Sequence, residues 1–383
     1  MYNYIPLEQA ADILDSYRKP VNSKERLNLI KGKPLDELFP YYGATGQVGW
    51  IDSFLTDGEY ILLGEDGAPF LNPYAEKAYI IYGKTWVNNH AHILRSKTNN
   101  EFLCYYLNYF NYKNYVSGIT RLKLTQAQMR KIPIPNIPSD EQSRIVASIE
   151  ELFSELDKAV DTLKTTKEQL EVYRQTILVD AFRAATNSTY LKVGCVCAKI
   201  VDCPHSTPKW EKSGKLCLRT TNFKRGYLDL QSPNYVSEET FHDRNRRIIP
   251  QPGDVLYSRE GSVLGIACTI PSNVYPCLGQ RMMLLRSGEK LNNRYLMHYL
   301  NSPMVTNHVI ATKGGTGSPH INVGDIKEFK IPIPSLEEQS NIVRQIEEQL
   351  SSCDNVEKTV DAILAQADAM RQSILKQAFE GTL

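Results

Sequence analysis

The side chains best placed to do chemistry in this sequence sit in loops rich in cations and amides. In the first third they are Thr45-Gly46-Gln47, Lys84, Asn88-Asn89-His90, and Arg121 with Lys123. In the second half they are Arg219-Thr220-Thr221-Asn222, Arg244 with Arg246 and Arg247, Ser258-Arg259, Gln280-Arg281 and Gly317-Ser318-Pro319-His320. Arginine matches the edge of guanine, and asparagine or glutamine the edge of adenine. Lysine, threonine and glycine amides suit phosphate oxygens. Taken singly, each is equally well explained by a solvated surface. As a set that occurs in two places, they point to nucleic acid.

Bond-breaking chemistry finds no comparable footing. Lys313-Gly314-Gly315-Thr316-Gly317-Ser318 is glycine-rich but lacks the Gly-Lys-Ser/Thr ending of a phosphate loop. Asn72-Pro73-Tyr74 resembles a fragment of an amino-methyltransferase motif, without its second proline or a cofactor-binding Gly-x-Gly. Asp325-Ile326-Lys327 is too short for a nuclease signature. Eight cysteines, at 104, 195, 197, 203, 217, 268, 277 and 353, show no Cys-x-x-Cys pair, so reduced thiols are expected rather than a zinc site. No apolar run approaches about 18 residues, and no cationic, apolar leader occupies residues 1–16. No membrane is expected, and a cytoplasmic location is.

The net charge of +1 conceals a segregation. Residues 1–138 carry +2, 139–186 carry −4, 187–335 carry +8 and 336–383 carry −5. Basic segments suit a polyanion, and acidic, periodic ones suit protein partners.

The elements that must hold these loops occur twice. Ile132-Pro133-Ile134-Pro135 leads to Glu141-Gln142-Ser143-Arg144-Ile145-Val146. Ile331-Pro332-Ile333-Pro334 leads to Glu338-Gln339-Ser340-Asn341-Ile342-Val343. From Glu141 and Glu338 onward, 18 of 43 positions are identical without a gap. Each proline pair forces an extended segment. A capping box is expected after each, Ser139 with Gln142 and Ser335 with Glu338. Heptad spacing then predicts long helices. The first has Ile149, Leu156, Leu163, Leu170 and Ile177 on one line, with Leu152, Ala159 and Tyr173 between. The second has Ile346, Cys353, Val360, Ala367 and Ile374, with Val356, Ile363 and Met370 between. About 45 residues make a helix of roughly 67 Å. Such a seam must pair; another chain would serve, but equal length and register favour the two copies pairing with each other.

The intervening segments repeat as well. Strands are expected at 60–63 and 78–82, after a glycine-rich turn region at 41–49, and a helix at 99–110. Gly253–Ser258 parallels Gly58–Leu63, and Asn292–Asn301 matches Asn99–Asn108 at six of ten positions. The domains expected are therefore 1–138, a helix 139–186, 187–335 and a helix 336–383.

Ile-Pro-Ile-Pro, Glu-Gln-Ser-x-Ile-Val, Ser/Thr-Ile-Leu-x-x-Ala-Phe and the final Glu380-Gly381-Thr382-Leu383 together resemble the DNA specificity (S) subunit of type I restriction–modification systems, over essentially the whole chain. The resemblance implies an α+β or α/β fold with two target-recognition domains alternating with two long helices in an antiparallel coiled coil. It implies that each domain reads one half of a bipartite double-stranded DNA site, while the helices set the spacer and dock methyltransferase (M) subunits, two of them. S-adenosylmethionine, ATP and magnesium would belong to the M subunits and a restriction (R) subunit, with this chain binding no cofactor and having no catalytic residue. A coiled-coil adaptor without DNA, or the specificity module of a fused restriction–methylation enzyme, are the alternatives.

Overall fold

The computed structural model describes residues 3–185, 188–261, 263–311 and 319–383. The chain packs as two units, Met1–Lys164 with Asp361–Leu383, and Thr165–Val360. The long helices Ser139–Ala184 and Leu336–Glu380 each contribute to both.

In the first unit the N-terminal pattern resolves into a strand Tyr4–Pro6, one helical turn Leu7–Ala10 and a strand Ala11–Ile13. Tyr4–Pro6 pairs antiparallel with Pro133–Pro135, so the proline segment is an edge strand that lacks few donors it would need. The core sheet is antiparallel, in the order Ala11–Ile13, Ala91–Ser96, Tyr60–Gly64, Ala78–Ile81. The glycine-rich turn expected at 41–49 is instead a hairpin, Phe39–Gly43 with Gly46–Ile51, and Phe39–Gly43 also pairs parallel with Lys84–Val87. Phe39, Tyr41, Tyr42, Val48, Trp50 and Ile51 are residue types that strands favour.

The second unit repeats this plan. Thr189–Lys192 pairs with Lys330–Ile333. The sheet runs Cys197–Asp202, Met282–Ser287, Val255–Ser258, Ala267–Thr269. Lys215–Leu218 pairs parallel with Cys277–Leu278.

Each domain helix is tied down identically. Asn99 and Asn292 cap Asn100–Tyr109 and Asn293–Asn301, accepting from Phe102 N at 2.7 Å and from its counterpart Tyr295 N at 3.2 Å. At the other end, Asn108 donates to Ala78 O at 2.7 Å and accepts from Ala78 N at 3.1 Å. Asn301 does the same to Ala267, at 2.8 and 3.0 Å. One side-chain amide, half-buried in Asn108 and buried in Asn301, thus completes the edge of each sheet.

The long helices pair antiparallel within each unit. In the first, Arg371 bonds Asp157; in the second, Arg174 bonds Asp354 at 2.7 Å and Glu357 at 2.9 Å. Arg174 and Arg371, and Asp157 and Asp354, are equivalent in the repeat, so one ion pair is made twice. Ile149, Leu156, Ile177, Ile346, Cys353 and Val360 are buried, and Leu163, Leu170 and Ile374 half-buried, as the heptads predict. The second line differs. Tyr173, Val356, Ile363 and Met370 are exposed, because the helices meet along the first line and the residues four further on, such as Phe153, Arg174, Glu357 and Arg371. Within each unit a helix end packs on the domain helix: Phe182 edge-on against Tyr295 and Tyr299 at 5.1 Å, and Phe379 against Phe102 and Tyr106 at 5.4 and 5.2 Å.

The capping boxes form only in part. Ser335 accepts from Glu338 N at 3.2 Å, whereas Ser139 is already the first helical residue. The buried glutamines that follow do more: Gln142 donates to Ile137 O at 3.0 Å and accepts from Thr98, and Gln339 donates to Pro334 O at 3.0 Å and Lys290 O at 2.9 Å. Each fastens a long helix to the globular domain that precedes it.

Candidate nucleic-acid interface

Both domains build the same crossing of three segments at one end of the core sheet. In the first, Glu65 N donates to His90 O at 2.8 Å, Leu124 N to Glu65 O at 2.8 Å, and Gly67 N to Leu122 O at 3.0 Å. In the second, Arg259 N donates to Arg281 O at 3.0 Å, Ile321 N to Arg259 O at 3.0 Å, and Gly261 N to Pro319 O at 2.9 Å. Isolated bridges join Asp66 to Lys123 and Glu260 to His320. Bond for bond, Asn89-His90 corresponds to Gln280-Arg281, Glu65-Asp66-Gly67 to Arg259-Glu260-Gly261, and Lys123 to His320. Two stretches chosen for residue type alone thus prove to be structural counterparts.

The charge beneath the crossing is inverted. Glu65 is held by Arg18, by Lys123 at 3.1 Å and beside His92 at 3.9 Å. Its counterpart Arg259 is 6% exposed and bonds Asp202 through Nε at 2.8 Å and Nη2 at 3.1 Å. Fully buried His92 puts Nδ1 2.8 Å from Asp15 and Nε2 2.9 Å from Leu124 O. Both ring nitrogens thus lie within hydrogen-bond reach of an oxygen acceptor. Burial pushes the Asp15 and Glu65 carboxyls up. Hydrogen bonds and charge from His92 and, for Glu65, from Arg18 and Lys123 outweigh it and leave both below the usual range.

Thr45, His90 and Arg121 line one open cavity of about 690 Å³ with Asp66 and Asn88. Arg121 Nε lies 2.5 Å and His90 Nδ1 3.5 Å from Asp66. Asn89 is exposed beside them. Gly46 and Gln47 start the second strand of the hairpin, where Gln47 donates to Gly49 O at 3.1 Å. Lys84 lies elsewhere, 4.9 Å over the Phe54 ring.

In the second domain Gln280, Arg281 and His320 gather at the crossing. Gln280 donates to His205 O and accepts from Thr207 at 3.1 Å; Arg281 Nε lies 3.7 Å from Glu260. Arg219 and Thr221 are exposed, with Arg219 5.3 Å over the Trp210 ring. Arg246 and Arg247 are exposed, Arg246 pairing with Asp243 at 3.0 Å.

Four expectations are corrected. Arg244 is 6% exposed and donates to four carbonyls, Leu278 at 2.6 Å, Gly279 at 2.8 Å, Ser206 at 3.1 Å and Pro204 at 3.3 Å. It stitches two loops together and is not a surface cation. Asn222 is buried, accepting from Arg219 N at 2.8 Å and donating to Asp229 O at 3.0 Å. Ser258 is fully buried and bonds Val263 O. Arg259 is the buried ion-pair member above. All four shape the loops from inside. Ser318, with the glycine-rich stretch before it, lies outside the described residues.

Sequence reasoning missed Asp15, Arg18, Glu65, His92, Asp202 and His205. Asp15, two residues beyond the strand Ala11–Ile13, and Asp202, the last residue of Cys197–Asp202, occupy matching positions, a signal visible only after aligning the halves strand by strand. Among the described residues no cluster of His, Cys, Asp and Glu could hold a metal ion, and no helix is long and apolar enough to cross a membrane.

A family model described as the type I restriction modification DNA specificity domain matches the chain twice, at residues 9–172 and 205–364. A type I restriction enzyme specificity subunit of Haemophilus influenzae is 29% identical over 88% of this chain and 85% of its own length. The Escherichia coli EcoKI specificity subunit is 24% identical over 74% of this chain and 65% of its own. Among solved structures, a chain of a type I R-M system covers 100% of this chain and 98% of its own at 18% identity and a TM-score of 0.68. The HsdS subunit of Thermoanaerobacter tengcongensis covers 100% and 97% at 20% identity and a TM-score of 0.57, and shares the fold. With two matched segments, each enclosing one crossing and part of the long-helix pair, the chain belongs to the family of type I restriction–modification DNA specificity subunits.

Proposed function

We propose that this chain reads a bipartite double-stranded DNA site, one half with each recognition domain, and catalyses nothing itself. The observation that carries this reading is the crossing built twice on one hydrogen-bond plan with different side chains at its surface. A shared frame with His90, Arg121 and Lys123 in one copy and Gln280, Arg281 and His320 in the other suits two different half-sites. The paired helices hold the spacing between the halves and dock two M subunits on their acidic faces. S-adenosylmethionine is bound by those M subunits; ATP and magnesium serve an R subunit where one is present. The complex works in the cytoplasm, on the host's DNA.

The test is to purify the chain with its M partner and map methylated bases on a random-sequence library. Methylation confined to two short motifs at a fixed separation is expected, with none from either chain alone. Methyl transfer by this chain alone, or methylation without a two-part motif, would overturn the reading.

A further inference from the structure

Each crossing carries one exposed arginine laid over an acidic–glycine turn. In the first domain the turn is Asp66-Gly67, with Gly67 at φ +79°; in the second it is Glu260-Gly261, with Gly261 at φ +85°. These conformations favour glycine. They also leave the arginine room: a Cβ on Gly67 would meet Arg121 Nε at 3.2 Å, and one on Gly261 would meet Arg281 Nη1 at 3.4 Å.

The two arginines are not counterparts in the chain. Arg281 precedes the strand Met282–Ser287, where the first domain has His90. Arg121 precedes the segment 122–124, the counterpart of 319–321. Different segments deliver the same group to the same place. In both cases a carboxylate faces Nε, Asp66 at 2.5 Å and Glu260 at 3.7 Å. Each ion pair draws the guanidinium toward its turn, the Glu260 pair at more than hydrogen-bond distance, and leaves the terminal nitrogens for a second partner. The side chains remain 60% and 55% exposed. Ion pairs that open add little to stability, so fold maintenance is a weak reason for this arrangement to occur twice.

We propose that Arg121 and Arg281 are the specificity-determining side chains of the two half-sites, each donating two hydrogen bonds to the major-groove edge of a guanine. Asp66 and Glu260 are positioning residues that aim them. The inference rests on the proposed reading of a bipartite site. A bidentate arginine–guanine contact discriminates by about 5- to 150-fold against another base. Arg281 itself sits at φ +66°, so Arg281→Gly removes the side chain while easing the backbone.

The experiment compares the wild-type complex with M subunits against complexes carrying Arg121→Ala, Arg281→Ala, Arg281→Gly and Arg281→Lys, scoring methylation across a library with every base varied in both half-sites. Wild-type methylation without a bipartite motif would sink the underlying reading before the arginines are judged. Given a bipartite motif, Arg121→Ala should abolish the preference for one guanine in one half-site, by roughly 5- to 150-fold, and leave the other half unchanged. Arg281→Ala and Arg281→Gly should do the same in the other half. Arg281→Lys should also lose the preference while keeping the salt dependence. An unchanged base profile in Arg281→Gly would show that the arginine only pairs with Glu260. Weakening equal for all sequences, with a salt slope lower by about one, would make it a phosphate contact. Either result overturns the proposal.

Discussion

Phe379, in the last turn of the helix Leu336–Glu380, closes the core of the first unit. It is 4% exposed and packs on Phe102, Tyr106 and, stacked at 5.4 Å, Tyr109. Phe379→Ala removes a buried ring with three aromatic neighbours, a change that costs about 3–5 kcal/mol. The wall it leaves is a capped helix fixed to the sheet by Asn108, which limits collapse and favours the upper part of that range. At about 4 kcal/mol, exchange protection through unfolding of this unit should fall roughly a thousandfold. The assay is amide exchange by mass spectrometry on the full chain, comparing peptides from Tyr60–Gly64 and Ala91–Ser96 with peptides from Val255–Ser258 and Met282–Ser287. Protection should drop in the first pair alone. Phe182→Ala, which strips the ring from Tyr295 and Tyr299, should reverse the pattern. An equal loss in both sheets, or none in the first, would refute the closure of each domain by the end of the opposite repeat's helix.

Acid should loosen the first unit through Asp15 and Glu65. Both are held below their ordinary values of 3.8 and 4.5, so their stabilisation is present above about pH 4–5 and is lost as pH falls through the lower folded values. Asp15→Asn should flatten that acid loss between pH 5 and about 2 in denaturation curves; an unaltered curve would remove the network from the account. Arg244→Ala strands four carbonyls and should destabilise the second unit by about 3 kcal/mol in denaturant titration. Arg246→Ala with Arg247→Ala should instead spare stability and lower the salt slope of DNA binding by about two, if both meet phosphate. Adding seven residues to each long helix, beside Leu163 and Val360, keeps the seam and lengthens each helix by about 10.5 Å. Mapped methylation should then show the same half-sites with roughly three more base pairs between them, at 3.4 Å per pair, and lower affinity from about 100° of added rotation. Unaltered spacing in an active variant would show that the helices are not the ruler.

Periodicity and repetition are local properties, which is why the helices, the proline strands and the line Ile149–Leu156–Ile177 were legible in the sequence. The outward face of Val356, Ile363 and Met370 was not, because two apolar lines on one helix leave its rotation against a partner undecided. Loop residues were legible by type but not by direction. Arg244 and Arg246 are two apart, yet one is buried among carbonyls and the other lies in solvent. The crossing itself was hidden twice over. Asp15 and His92 are 77 residues apart, and the counterpart of Glu65 is Arg259, a charge reversal that no identity count registers.

The claim that each domain reads its own half-site is tested most directly by exchange of one domain. Residues 187–335 would be replaced by the corresponding segment of another family member whose target is known, and methylated positions mapped in cells carrying the chimera with the M partner. The account predicts one new half-site, taken from the donor, beside one unchanged half-site. A change in both halves, or in neither while methylation persists, would contradict it.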